Sequence, residues 1–190
     1  SNFLRALHLS GCDIDQDGIK RMGDALLENL KIYKARINSR NPKYANYLEK
    51  YPIPIPVKYW NFENNKLIDA TSFFQGLKDP AFTADVFYLS FSNCQIQDIS
   101  GLFSAISTNP HLHQIKYLYF NGNQKVEPVE MEIFIKHLKY LSDYLKLPER
   151  KQKVKKCLYE RIGISGKGKA LEKLLQTLID LEYPIKELSL

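Results

Sequence analysis

Three segments of this chain carry one spacing of apolar residues, each 29 residues after the last. In the middle copy, Val86, Leu89, Phe91, Cys94 and Ile96 fill the pattern L-x-x-L-x-L-x-x-N/C-x-L. Val57, Trp60, Phe62, Asn65 and Leu67 fill it one step earlier, and Ile115, Leu118, Phe120 and Asn123 one step later. Outer copies begin at Leu4 (Leu4, Leu7, Leu9, Cys12, Ile14) and at Ile185 (Ile185, Leu188, Leu190). A spacing that returns in strict register over one chain marks stacked structural repeats rather than chance.

The first copy continues past its strand into a helix. After Ile14 come Gly18, Met22, Leu26 and Asn29, and their four-residue steps set one face of a helix against the strand. A strand and a full helix in 28–29 residues resembles the ribonuclease inhibitor-like subfamily of leucine-rich repeats. That resemblance implies an α/β solenoid, a curved parallel sheet inside and helices outside, with repeats starting near 4, 57, 86, 115 and 185. Repeats two and three align without gaps: Phe74 matches Phe103, Leu77 matches Ile106, and Asp79-Pro80 and Asn109-Pro110 end both helices alike.

Two insertions interrupt the step. Between Leu4 and Val57 the spacing is 53 residues, so about 31–56 is read as added chain. Lys31 to Arg40 prolongs the helix, Asn41 to Tyr51 is read as one more short helix, and Pro52, Pro54 and Pro56 force an extended approach to Val57. Between Ile115 and Ile185 the spacing is 70 residues. Pro128 opens a helix with Met131, Phe134, Leu138, Leu141 and Leu145 at helical spacing. The rest, about 146–184, is read as a helical insertion: one helix from Pro148 to about Arg161, a break at Gly163–Gly168, and another from about Lys169 to Glu182. The expected domain is therefore 1–190, one leucine-rich repeat unit. Because it stops within a repeat at Leu190, it is expected to be a fragment of a longer protein.

With 44% hydrophobic and 25% charged residues, the chain can bury a core, and no apolar run is long enough to span a membrane. Three cysteines argue against a disulfide framework. Cys12 and Cys94 fill the N/C position, where a small polar side chain turns inward, and free thiols fit a reducing compartment. A net charge of +6 permits acidic partners without selecting one.

Stacking the copies produces columns of side chains on the sheet face away from the helices. One column reads Ala6, Tyr59, Tyr88, Tyr117, Glu187; the next reads His8, Asn61, Ser90, Tyr119, Ser189; the third reads Ser10, Glu63, Ser92, Asn121. Three tyrosines about 5 Å apart would make an exposed aromatic row, suited to protein recognition because tyrosine offers area and a polar handle at little entropic cost. The alternative is that they only stack on one another or lie beneath an insertion. Beside them, Arg5, Lys58, Phe87, Lys116 and Lys186 form a basic stripe, suited to an acidic partner or simply solvated. Lys151, Lys153, Lys155 and Lys156 form the densest basic run, a contact for acidic partners or lipid headgroups, or the charged outer face of a helix.

No motif for catalysis, cofactor or metal emerges. Gly163–Lys169 lacks G-x-x-x-x-G-K-[ST], His111 and His113 have no ligand partners at fitting spacing, and Cys157 has no motif of a nucleophile. The expectation is a non-enzymatic module that binds another protein through Tyr59, Tyr88, Tyr117, Tyr119, His8 and Asn61. It uses no cofactor, has no membrane span and at most weak membrane-surface contact, and nucleic acid is not favoured as a partner. The chain also resembles repeat effectors that intracellular bacteria inject into host cells, which implies a host protein partner and a cytosolic setting. The alternatives are the substrate-recognition part of a larger enzyme, as in ubiquitin ligases with leucine-rich repeats, and a regulator of a small GTPase.

Overall fold

Six strands of three residues each, alternating inward and outward side chains, carry the architecture. In the computed structural model, which describes residues 5–38, 57–79, 81–82, 86–123, 126–148, 158–166 and 168–190, they form one parallel sheet. The strands β1 (Ala6–His8), β2 (Tyr59–Asn61), β3 (Tyr88–Ser90), β4 (Tyr117–Tyr119), β5 (Arg161–Gly163) and β6 (Glu187–Ser189) lie side by side in chain order. Parallel neighbours need a crossover between them, and helices occupy these crossovers. They are α1 (Gln16–Asn38), α2 (Thr71–Lys78), α3 (Ser100–Thr108), α4 (Pro128–Lys146) and α5 (Gly168–Asp180), with a 3-10 turn at Pro110–Gln114. Each helix packs on the next in the same order. The fold is α/β.

The central strand residues Leu7, Trp60, Leu89, Leu118, Ile162 and Leu188 share one register line. The inner four are buried and the outer two, each with one neighbouring strand among the described residues, are half-buried. Aromatic rings fill the layer behind them. Phe62 stacks on Phe91 at 5.0 Å, Phe73 meets Trp60 edge-on at 5.4 Å, and Phe103 stacks on Phe134 at 5.1 Å. Burying each such ring contributes roughly 2 kcal/mol or more, so this layer carries much of the stability. From the helices come Ile19, Leu26 and Leu30 of α1, Met131, Phe134, Leu138 and Leu141 of α4, and Leu174 and Leu178 of α5.

The asparagine column explains the N/C position. Asn65 donates from Nδ2 to the carbonyls of Leu9 at 2.7 Å and Phe62 at 2.8 Å, and its Oδ1 accepts from the Ile14 N–H at 2.9 Å. Asn123 donates to Phe91 at 2.7 Å and Phe120 at 2.8 Å, and accepts from the N–H groups of Cys94 and Ile96. Each therefore ties its own turn to the one before it. Cys94 keeps one of these bonds, its thiol donating to the Phe62 carbonyl at 2.9 Å. Burial pushes that thiol up to about 11, so it stays protonated near neutral pH. Cys12 departs from the expectation: it is exposed, because among the described residues no strand precedes β1 to receive it.

The largest departure lies in the stretch read as a helical insertion. Arg161–Gly163 is a strand of the sheet, paired with β4 on one side and β6 on the other. The helix expected to reach Arg161 therefore does not reach it; the body of that helix falls outside the described residues. Tyr159, Ile162 and Ile164 are buried and repeat the spacing of Ile115, Leu118 and Phe120. The long step thus divides into one of 44 residues to Tyr159 and one of 26 to Ile185. The helix expected near Lys169–Glu182 is present as α5, and α1 extends as read, to Asn38. The segment rich in tyrosine and proline before Val57 lies outside the described residues. Among the described residues, no helix is long and apolar enough to cross a membrane.

Candidate partner-binding face

The outward residues of the strands fall into the columns that the repeat spacing dictates, with β5 adding one member to each. Ala6, Tyr59, Tyr88, Tyr117, Arg161 and Glu187 are register partners in one column, and His8, Asn61, Ser90, Tyr119, Gly163 and Ser189 in the next. Tyr59, Tyr88, Tyr117 and Tyr119 are half-buried and His8 is exposed. Their rings form a continuous surface: His8 to Tyr59 at 4.5 Å, Tyr59 to Tyr88 at 4.0 Å and near-parallel, and Tyr88 to Tyr119 at 5.7 Å.

The evenly spaced row of tyrosines is not what forms. Tyr88 and Tyr117 stand 6.3 Å apart and tilted, against 4.0 Å for Tyr59 and Tyr88. Two carboxylates pull their hydroxyls in opposite directions. Tyr88 donates to Glu63 Oε1 at 3.0 Å, towards β2, whereas the Tyr117 hydroxyl lies 3.5 Å from Glu160 Oε2, towards β5. Tyr117 is held further by Phe87, edge-on at 5.1 Å, and by the Arg161 guanidinium 5.7 Å from its ring centre. Arg161 also pairs with Glu187 at 3.1 Å.

Glu63 is the hub of a polar network across three strands. Its Oε1 accepts from the buried Ser90 hydroxyl at 2.6 Å as well as from Tyr88, and its N–H donates to Asn61 Oδ1 at 2.9 Å. Ser92 continues the line by donating to Asn121 Oδ1 at 2.8 Å. Burial, then the nearby Glu63 charge, hold the Tyr88 hydroxyl far above its usual range; burial raises Tyr119 as well. Both tyrosines stay neutral, Tyr88 as a donor to Glu63, and Asn61 positions Glu63 as much as it faces outward.

Tyr119 owes its place to Gly163. A methyl group on Gly163 would come within 2.7 Å of Tyr119 Cδ1 and would collide with Asn121 Oδ1. Glycine on β5 therefore lets the Tyr119 ring lie down across the sheet.

The basic stripe also changes once β5 is included. Glu160 stands in its column between Lys116 and Lys186 and pairs with both, Oε1 to Lys116 Nζ and Oε2 to Lys186 Nζ, each at 2.8 Å. Hydrogen bonds from Lys116 and Lys186 hold its carboxyl at about 2. The Lys116 ammonium lies 5.6 Å from the Phe87 ring centre. Arg5 and Lys58, just before β1 and β2, are exposed, and among the described residues no carboxylate pairs with either. The expected basic stripe is thus split into a part bridged by a carboxylate and a part, among the described residues, without one.

The remaining candidates divide simply. Lys151, Lys153, Lys155 and Lys156 lie outside the described residues. His113 is buried against His137, ring centres 4.9 Å apart, and His137 Nε2 lies 3.1 Å from the Tyr159 hydroxyl, so these histidines belong to the packing of α4 against the 3-10 turn and the approach to β5. Among the described residues no group of three or more His, Cys, Asp or Glu could hold a metal ion. Glu63, Glu160 and Arg161, the groups that orient the tyrosines, do not stand out in the sequence. The buried triplet Tyr159, Ile162 and Ile164, close after the last basic run, is the signal that would have found the last two. No protein-family model matches the chain, and no curated protein matches its sequence.

Proposed function

We propose that this chain is a leucine-rich repeat solenoid that binds another protein on the sheet face opposite its helices. The observation that carries this reading is the joined aromatic surface of exposed His8 and half-buried Tyr59, Tyr88, Tyr117 and Tyr119, with Tyr88 anchored by Glu63 and Tyr117 by Glu160. Rings fixed before binding lose little entropy on contact, and tyrosine combines apolar area with a polar edge. The sequential parallel sheet, the 29-residue step and the asparagine column support the repeat reading. The likeness to bacterial repeat effectors points to a host cytosolic protein as the partner.

The test is affinity capture from host-cell lysate with the native chain and with Tyr59, Tyr88 and Tyr117 all replaced by alanine. A partner held by the native chain and lost by the triple variant, with its circular dichroism unchanged, is the expected result. Single Tyr88→Ala should weaken that partner by roughly 1–3 kcal/mol. Identical captured proteins from both forms would remove this face from the function.

A further inference from the structure

We infer that the rim of this face takes an acidic segment of the partner in extended form, with one carboxylate lodged between Arg5 and Lys58. The inference rests on the protein-binding reading above and specifies the chemistry of what is bound.

The molecule holds an internal example of the contact. In the rim column, Glu160, just before β5, stands between Lys116, just before β4, and Lys186, just before β6, and bonds both at 2.8 Å. Strands of a sheet are about 4.8 Å apart, and one carboxylate, with two oxygens, spans cations on its two sides. Arg5 and Lys58 occupy the same column on adjoining strands, and the Lys58 N–H bonds to the Arg5 carbonyl at 2.8 Å. Both are exposed, and no carboxylate among the described residues joins them. Arg5 and Lys58 stand one strand apart, whereas Lys116 and Lys186 stand two apart with Glu160 between them, so a carboxylate supplied from outside would sit over the pair and reach each cation with one oxygen.

The next position of the rim favours a peptide over other anions. Phe87 comes after Lys58 in the column and is 41% exposed, an apolar step directly beside Lys58. A segment crossing the strands would set an acidic side chain on Arg5 and Lys58 and an apolar one on Phe87, and rest against Tyr59 and Tyr88. Single-stranded nucleic acid fits less well. Its bases need open ring faces, whereas Tyr59 lies between His8 and Tyr88 at 4.5 and 4.0 Å, and the carboxylates of Glu63 and Glu160 flank the row.

The test uses the whole chain and three fluorescent probes read by anisotropy. Two are peptides of one apolar composition, carrying glutamate or lysine at alternate positions; the third is an oligouridylate. The glutamate peptide should bind, and its affinity should fall several-fold between about 50 and 200 mM salt. Lys58→Glu should weaken it at least about tenfold. Lys139→Glu on the exposed side of α4 makes the same change in net charge and should alter it by less than about twofold. Equal binding of the lysine peptide, tighter binding of the oligouridylate, no binding of either peptide, or equal effects of Lys58→Glu and Lys139→Glu would each overturn the inference. Loss of captured partners by the triple alanine variant, alongside any of those results, would leave the binding reading standing. Retention of all partners by that variant would remove the reading itself.

Discussion

The outward face of the sheet is organised twice by one device, a carboxylate that takes a tyrosine hydroxyl from the neighbouring strand. At β2–β3 the carboxylate is Glu63, and its other partners are neutral: the Ser90 hydroxyl at 2.6 Å and the Asn61 side-chain amide at 3.5 Å. At β4–β6 it is Glu160, and its other partners are the ammonium groups of Lys116 and Lys186. The first arrangement presses two rings together at 4.0 Å, and the second draws Tyr117 away from Tyr88 to 6.3 Å. The contrast separates a face fixed by short-range hydrogen bonds and packing from one fixed by charges. Substitutions in the first half should therefore act through packing and be indifferent to salt, whereas those in the second should respond to pH and ionic strength.

The largest expected effect cuts across that division, because Gly163 lies on β5, beside the Glu160 group, yet abuts Tyr119 and Asn121. Gly163→Val puts a branched side chain where Tyr119 and Asn121 already lie, and should cost roughly 3 kcal/mol, as overpacked interiors do. Urea unfolding would measure it, and the loss should be the same in low and high salt. Valine favours strands, so a stabilised protein would mean that Tyr119 does not rest across β5.

The two hydroxyls give a smaller and more pointed comparison. Tyr88→Phe removes a 3.0 Å bond to Glu63 from a half-buried site and should cost about 1 kcal/mol. Tyr117→Phe removes a contact at the 3.5 Å limit and should cost less than about 0.5 kcal/mol. Equal losses on denaturant unfolding would show that Glu160 holds Tyr117 as firmly as Glu63 holds Tyr88.

Much of this architecture is legible in the sequence alone. The strands at Tyr59, Tyr88 and Tyr117 come directly from the 29-residue step, because backbone hydrogen bonding and the asparagine turn allow little variation within a repeat. The strand at Arg161 does not, for three physical reasons. Its steps are 44 and 26 residues, it carries Gly163 where strands usually carry bulk, and Lys167 stands where the other copies have Asn or Cys. Without that strand, Glu160 cannot be seen between two lysines, nor Arg161 beside Tyr117. The opposed tilts of Tyr88 and Tyr117 are hidden for another reason: column position is set by spacing, but ring direction is set by carboxylates on neighbouring strands.

The smallest expected effect is the one that isolates the charged half. Glu160 titrates at about 2 in the folded chain against an ordinary value of 4.5, because Lys116 and Lys186 hydrogen-bond its ionised form. A lowered folded value means that ionised Glu160 stabilises the fold above pH 4.5, and that this support fades as pH falls through 4.5 towards 2. Glu160→Gln should therefore be less stable than the native chain at pH 6, and the gap should shrink progressively to pH 2. Because the lysines are substantially solvent-exposed, added salt should narrow the gap at pH 6 as well. Melting curves of the two proteins across that range, at low and high salt, are the measurement. A gap that stayed constant from pH 6 to 2 would assign Glu160 a packing role like that of Glu63, and the two halves of the face would then be built alike.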